Sequence, residues 1–497
     1  MGGLRIFAEE VWILLQLLLP QIIQVYFTLA LGRMTLAFVG NYDPVPEHIG
    51  GAALGNMYSN VTGMSIGIGA TLAVSTFCSQ NVGRKSSADN GVVLRHARTA
   101  QTGAFVFALT AALLSKQILG AMNQPEELLT PCYNFNVITV MGPPPAWLSF
   151  SISAALNAQS VMTPGVVISV VNSGLNILLS WLLLAHGVGY LGVAIAATVT
   201  NWTGLAAFSL YVVLTGKQDV VWRVPSEPKL RISFKTYFEV GLPSAVSMWV
   251  EWWAAEILAL FAGLLPAGQY AVAANGILFN TLAIVYFTYV STQVSTTVRI
   301  GNLVGARNAA RIPSSLLAAV SVSLLLSVVG ALVLQVFGLQ ILELYTNDKR
   351  IIDLAMSANL GVVLSVPPYS VMMCLLGAMR SANLQTWGAG ALFVAFYIFG
   401  IPTGAYLGLF AGWNLLGVWM GNVVSLTTAA LAMSFKICTV DWPKAIEGAM
   451  AYEQEGLPPL PVRTISVDAG LGGVSTPVPS RTSSGLSSRL LDGSPQG

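Results

Sequence analysis

Charge is the scarcest commodity in this 497-residue chain: Asp, Glu, Lys and Arg make up 9% of it, against 55% apolar residues. Soluble domains carry roughly a quarter charged residues, so this chain cannot cover a water-facing surface. Cysteine and histidine are also rare. Cys78, Cys132, Cys374 and Cys438 are scattered, with no Cys-x-x-Cys, which argues against a zinc site or a disulfide framework. His48, His96 and His186 stand alone, so they are expected in loops or helix interfaces rather than on a metal. There is no Gly-x-x-x-x-Gly-Lys-Ser/Thr loop for ATP, no His-Glu-x-x-His and no Asp-rich pair. These gaps exclude an ATP-driven pump by itself and leave a membrane protease or prenyltransferase without its chemistry. A net charge of +2 offers nothing to nucleic acid. Neither an enzyme nor an organic or metal cofactor is expected.

Long uncharged stretches are what the chain does have. Val11 to Leu31, Thr99 to Ser115, Leu316 to Leu339 and Ala389 to Phe410 are examples. About 20 apolar residues cross a roughly 30 Å hydrocarbon layer. The pattern predicts an all-α integral membrane protein, embedded in the bilayer as a monomer. Spanning helices are expected near 11–38, 51–79, 97–120, 132–154, 161–185, 190–215, 237–264, 270–294, 315–338, 357–379, 387–407 and 412–436. The first run reads as a span, not a cleaved signal. With both termini in the cytoplasm, thirteen Lys and Arg fall in inner loops, including Arg98, Arg299 and Arg380, and three in outer ones. This asymmetry follows the positive-inside rule.

A shift of 223 residues places Pro20 on Pro243, Pro144-Pro145 on Pro367-Pro368, and Thr163 and Gly165 on Thr386 and Gly388. Six helices are therefore read as duplicated, in two lobes related by a pseudo-two-fold axis along the membrane normal. The expected domains are an N-lobe over 1–215, a cytoplasmic linker over 216–235, a C-lobe over 236–440 and a disordered cytoplasmic tail over 441–497.

Charges inside a span are costly and mark function. The deepest here are Arg33, Glu251 and Glu256. Carboxylates kept from water bind protons more readily, so such a group can trade a proton for a cation. Five residues turn a helix by about 500°, which sets Glu251 and Glu256 about 140° apart. One is expected to face a central cavity and the other the inside of the second lobe; either could instead pair with Arg33 or a buried amide. Trp252 and Trp253 suit an organic cation or plain packing. Asn172 and Asn176 share a helix face, and either bond across helices or line a polar pocket. Asn60 and Asn280 carry the same ambiguity. Pro20 and Pro243 should kink their helices.

These runs together resemble the eukaryotic branch of the MATE (multidrug and toxic compound extrusion) family over about residues 8–440. Glu251-Trp252-Trp253-x-x-Glu256 is the most specific match. Asn60-Val61-Thr62-Gly63, Thr76 to Gln80, Thr297 to Asn302 with Gly305-Ala306, Gly400 to Gly404 and Leu416 to Trp419 also resemble family patterns. The resemblance implies twelve helices in two lobes. It implies export of organic cations, drugs or secondary metabolites in exchange for protons, or for sodium, across the plasma or vacuolar membrane. Glu251 and Glu256 would be the coupling and substrate carboxylates. Gln24, Asn60, Trp252, Asn280, Tyr286 and Tyr369 would line the cavity, and Asn172 with Asn176 would form an N-lobe polar pair. One departure stands out: Tyr369 occupies the place of the acid that relatives carry eleven residues before the arginine matching Arg380. The alternatives are an uncoupled facilitator and a lipid-linked oligosaccharide flippase of the same superfamily, which would favour a basic cavity.

Overall fold

The computed structural model describes residues 2–30, 39, 42–43, 45–122, 124–226 and 232–451. Arg33 and residues 452–497 lie outside them. Twelve helical segments follow one another: α1 Gly2–Val25, α2 Pro46–Gly83, α3 Asn90–Leu113, α4 Glu126–Thr139 with Pro143–Ala158, α5 Thr163–Ala185, α6 Leu191–Leu214, α7 Phe234–Gly263, α8 Gln269–Gly305, α9 Ile312–Val336, α10 Lys349–Ser381, α11 Gln385–Phe410 and α12 Asn414–Cys438. Among the described residues, ten helices are long and apolar enough to cross a membrane. α3 makes an eleventh with its continuation Ser115–Ala121, bent by 64°. The twelfth predicted span, α4, is broken. Pro143-Pro144-Pro145 removes three backbone donors and disfavours helix in the residue before it, so α4 restarts at Pro143. The repeat-related Pro367-Pro368 sits inside an unbroken α10.

Helix packing bears out the duplication. In the first half α2 packs on α3 and α4, α4 on α6, α5 on α6 and α1 on α5; in the second, α8 packs on α9 and α10, α10 on α12, α11 on α12 and α7 on α11. Contacts between the lobes interchange in the same way: α1 lies on α8, α7 lies on α2, and α2 meets α8 directly. A two-fold axis between the lobes produces that pattern. α2 and α8 meet closely because glycines let their backbones approach. A Cβ on Gly301 would stand 1.9 Å from Ser79 Oγ, and one on Gly305 would stand 2.0 Å from the Gln80 carbonyl. This seam lies where α2 and α8 end, on the face where α1 begins and α12 ends, here called the terminal face.

Two expected loops turn out structured. In the linker, Gln218–Val221 forms a helical turn, with Val221 fully buried and Trp222 packed against the N-lobe core. After α12, Trp442–Met450 forms α13, where a disordered tail was expected from 441. Trp442, Ile446, Ala449 and Met450 recur at helical spacing, so one face of α13 is buried. Asp441 caps it by accepting from the Lys444 amide.

Candidate functional site

Glu251 lies midway along α7 and is 6% exposed. Its helix turns Ala254, Leu258 and Ala262 to the same side, all buried in the C-lobe core. The carboxylate therefore points into the lobe. Tyr369 of α10 donates its hydroxyl to Glu251 Oε1. The Tyr369 ring packs at 5.5 Å from Tyr286 and 6.1 Å from Tyr289, both on α8. At the end of α10, Arg380 Nη1 donates to Gln293 Oε1 at 3.1 Å. Its place near a helix end suggests a water-facing loop for Arg380, but the residue is buried. Helical side chains lean toward the N-terminus of their helix, so Arg380 reaches back into the bundle. Its buried Nε has no hydrogen-bond partner.

Glu256 is exposed. It lies seven and eleven residues beyond Trp249 and Ala245, within about 20° of each around the helix. Both of those side chains would touch a Cβ placed on Gly69 of α2, so Glu256 continues the face that α7 turns to the N-lobe. Trp252 and Trp253 flank it, 38% and 60% exposed. The two carboxylates point apart, Glu251 into the lobe and Glu256 along the face turned to the N-lobe. Asn280 is exposed, one turn from Ile284 and two from Thr288. The hydroxyl of Tyr26, in the wide turn that follows α1, donates to the Ile284 carbonyl and lies 3.2 Å from Thr288 Oγ1. Asn280 therefore also faces the gap, whereas Asn60 is exposed on a wide turn of α2 over Asn60–Met64.

The other predicted cavity residue of the N-lobe is elsewhere. Gln24 is buried inside that lobe and donates to Ser153 Oγ at 2.9 Å. Asn157 donates to Gln21 Oε1 beside it at 3.1 Å. Asn172 and Asn176 bond across to α6: Asn172 Nδ2 to the Thr200 carbonyl at 2.9 Å, and Asn176 Nδ2 to Thr200 Oγ1 at 3.1 Å. The N-lobe interior is thus polar through amides and hydroxyls, whereas the C-lobe interior carries Glu251 and Arg380. The predicted set is split among the two lobe interiors and the gap between them.

One charged cluster escaped the sequence reading. Glu10, near the start of α1, is fully buried. It accepts both arms of Arg299 of α8, at 2.6 and 2.7 Å, and lies 3.4 Å from Arg311. Arg311 also reaches Glu9 at 2.7 Å. The pattern resembles an ordinary charged helix start, and only the packing of one lobe on the other buries it. Among the described residues no group of His, Cys, Asp and Glu is placed to hold a metal.

The family model described as MatE matches residues 20–182 and again 243–406, two stretches that start 223 residues apart. Protein DETOXIFICATION 49 of Arabidopsis thaliana is 25% identical over 87% of this chain and 86% of its own length. Multidrug and toxin extrusion protein 1 of Oryctolagus cuniculus is 26% identical over 90% of this chain and 78% of its own. The crystal structure of the eukaryotic MATE transporter AtDTX14 superposes with a TM-score of 0.81 at 23% identity, covering 90% of this chain and all of that one. An outward-facing multidrug resistance MATE transporter superposes at 0.79. Tandem six-helix lobes, the seam between α2 and α8 and this double match lead to one assignment: the chain belongs to the MatE family of membrane transporters.

Proposed function

We propose that this protein is a secondary antiporter that exports organic cations in exchange for protons by alternating access between its lobes. The observation that carries this reading is Glu251. Of the buried carboxylates among the described residues, Glu10 pairs with Arg299 and Asp89 sits at a helix start, whereas Glu251 lies mid-span with Tyr369 as its hydrogen-bond donor. An ionised carboxylate there is costly, and a proton arriving from outside removes that cost. Glu256, with Trp252 and Trp253 beside it, offers a cation both a counter-charge and aromatic faces. Relatives named for multidrug and toxin extrusion support the substrate class. In this reading the N-lobe is 1–215, the linker 216–235 and the C-lobe 236–440, with the terminal face in the cytoplasm of a cell whose plasma or vacuolar membrane holds a monomer.

Purified protein in proteoliposomes with an imposed pH gradient tests the proposal. Accumulation of a fluorescent organic cation should follow the gradient and be lost in Glu251→Gln, which keeps size and hydrogen bonding but cannot ionise. Sodium-driven uptake would reassign the ion. Gradient-driven transport by Glu251→Gln at the wild-type rate would refute the coupling role, and uptake indifferent to any gradient would favour a facilitator.

A further inference from the structure

The N-lobe carries a second opening, away from the gap between the lobes. A cavity of about 240 Å³ lies between α3, α4 and α6 and is roofed by the linker turn. Leu94, Leu148 and Leu205 form apolar walls, Arg98, Ser151 and Ser209 are its polar lining, and Trp222 closes it from the linker. Arg98 stands eight residues into α3, about 12 Å from its start. Its side chain leans back toward the terminal face, where Lys85 and Arg95 are exposed. Among the described residues no side chain accepts a hydrogen bond from its guanidinium and no carboxylate pairs with it, although it is only partly exposed. The linker is held firmly here: a Cβ on Gly91 would stand 1.9 Å from the Arg223 carbonyl, and His96 Nε2 lies 3.0 Å from the Ile232 carbonyl.

A guanidinium with no carboxylate partner among the described residues, at interface depth above leucine walls between spanning helices, complements a molecule with an anionic head and a hydrocarbon tail. A free anion would use the arginine and leave the walls unmatched. A neutral lipid would leave the charge unmatched. Basic pockets between spanning helices at the cytoplasmic side recognise anionic headgroups on this principle. We propose that the cavity binds one anionic phospholipid, its phosphate on Arg98 and Ser209 and an acyl chain along Leu94, Leu148 and Leu205. The bound lipid would brace the linker, the covalent connection between the lobes, against the N-lobe.

Trp222 reports on the site directly. The full chain is reconstituted in phosphatidylcholine vesicles containing a minor fraction of brominated phosphatidylglycerol or, separately, brominated phosphatidylcholine. The Trp222 signal is the difference between wild type and Trp222→Phe. Phosphatidylglycerol should quench it at least about fivefold more effectively, the preference expected from about 1 kcal/mol for one arginine at an anionic headgroup. Arg98→Gln should abolish the preference and Arg98→Lys keep most of it. Leu205→Phe, which narrows the cavity with Arg98 intact, should lower quenching by both lipids, and it decides the matter if Arg98→Gln does not purify as a folded species. Equal quenching by the two lipids, a preference that survives Arg98→Gln, or displacement of the lipid by millimolar inorganic phosphate would overturn the proposal, the last result assigning the site to a free anion.

Discussion

Alternating access requires the terminal face to open, and the cluster of Glu10, Arg299 and Arg311 stands in its way. Glu10 belongs to α1 in the first lobe, Arg299 to α8 in the second, and they share two hydrogen bonds of 2.6 and 2.7 Å with Glu10 fully buried. Removing one member of a buried pair costs roughly 3–5 kcal/mol because the other charge is left uncompensated. Arg299 keeps 15% of its side-chain exposure, so the lower end of about 3 kcal/mol applies. The second pair, Arg311 with Glu9, is 34% and 46% exposed and contributes little. Glu10→Gln should therefore raise the population open at this face by about 100-fold, since each 1.4 kcal/mol is a factor of ten. The assay is maleimide labelling of Ser79→Cys, whose side chain abuts Gly301 in the closed seam, in a Cys438→Ser background that removes the exposed native thiol. Labelling from the terminal side should accelerate at least tenfold and approach that ceiling where closing outpaces reaction. A rate within twofold of the parent, in protein that remains monodisperse, would show that the cluster holds the fold and not the gate.

Three further outcomes follow from the geometry. Tyr369→Phe removes the donor to Glu251, and a hydrogen bond to a charged group contributes roughly 1.5–3 kcal/mol, so gradient-driven uptake should fall tenfold or more. Gly305→Val places carbon about where the Gln80 carbonyl stands; it should prevent closure at the terminal face and abolish turnover, with normal labelling of far-face cysteines as the check on folding. On the far face, burial pushes the Asp43 carboxyl up, but the hydrogen bond from His48 and the amide of Tyr190 outweigh it and hold the group below its ordinary value. A lowered carboxylate stabilises the fold above the ordinary value near 3.9 and ceases to do so as pH falls through the lowered one; Asp43→Asn should therefore reduce the melting midpoint at neutral pH, with the difference from wild type narrowing in acid.

Much of this molecule could be read from its residues because membrane physics leaves few choices. A span must be apolar, about 20 residues long and internally hydrogen-bonded, so composition and periodicity locate the spanning helices, though not the short α13 that follows them. The 223-residue shift reveals the duplication, since a duplicated bundle keeps its prolines and glycines at matching depths. Helical rotation alone separates Glu251 from Glu256. What linear order could not decide was which sides of the helices meet. Gln24 and Asn280 are equally polar and both lie within apolar spans, yet the first is enclosed in a lobe by Ser153 and the second faces the gap. Glu10 and Arg299 look like ordinary charges near helix ends, and only the docking of one lobe on the other buries them. Arg380 looks like a loop cation until the backward lean of its side chain carries it toward Gln293. Hydrophobic pattern decides depth in the bilayer through local transfer energies; the pairing of these charges depends on contacts between residues 289 to 302 positions apart, which only the assembled lobes create.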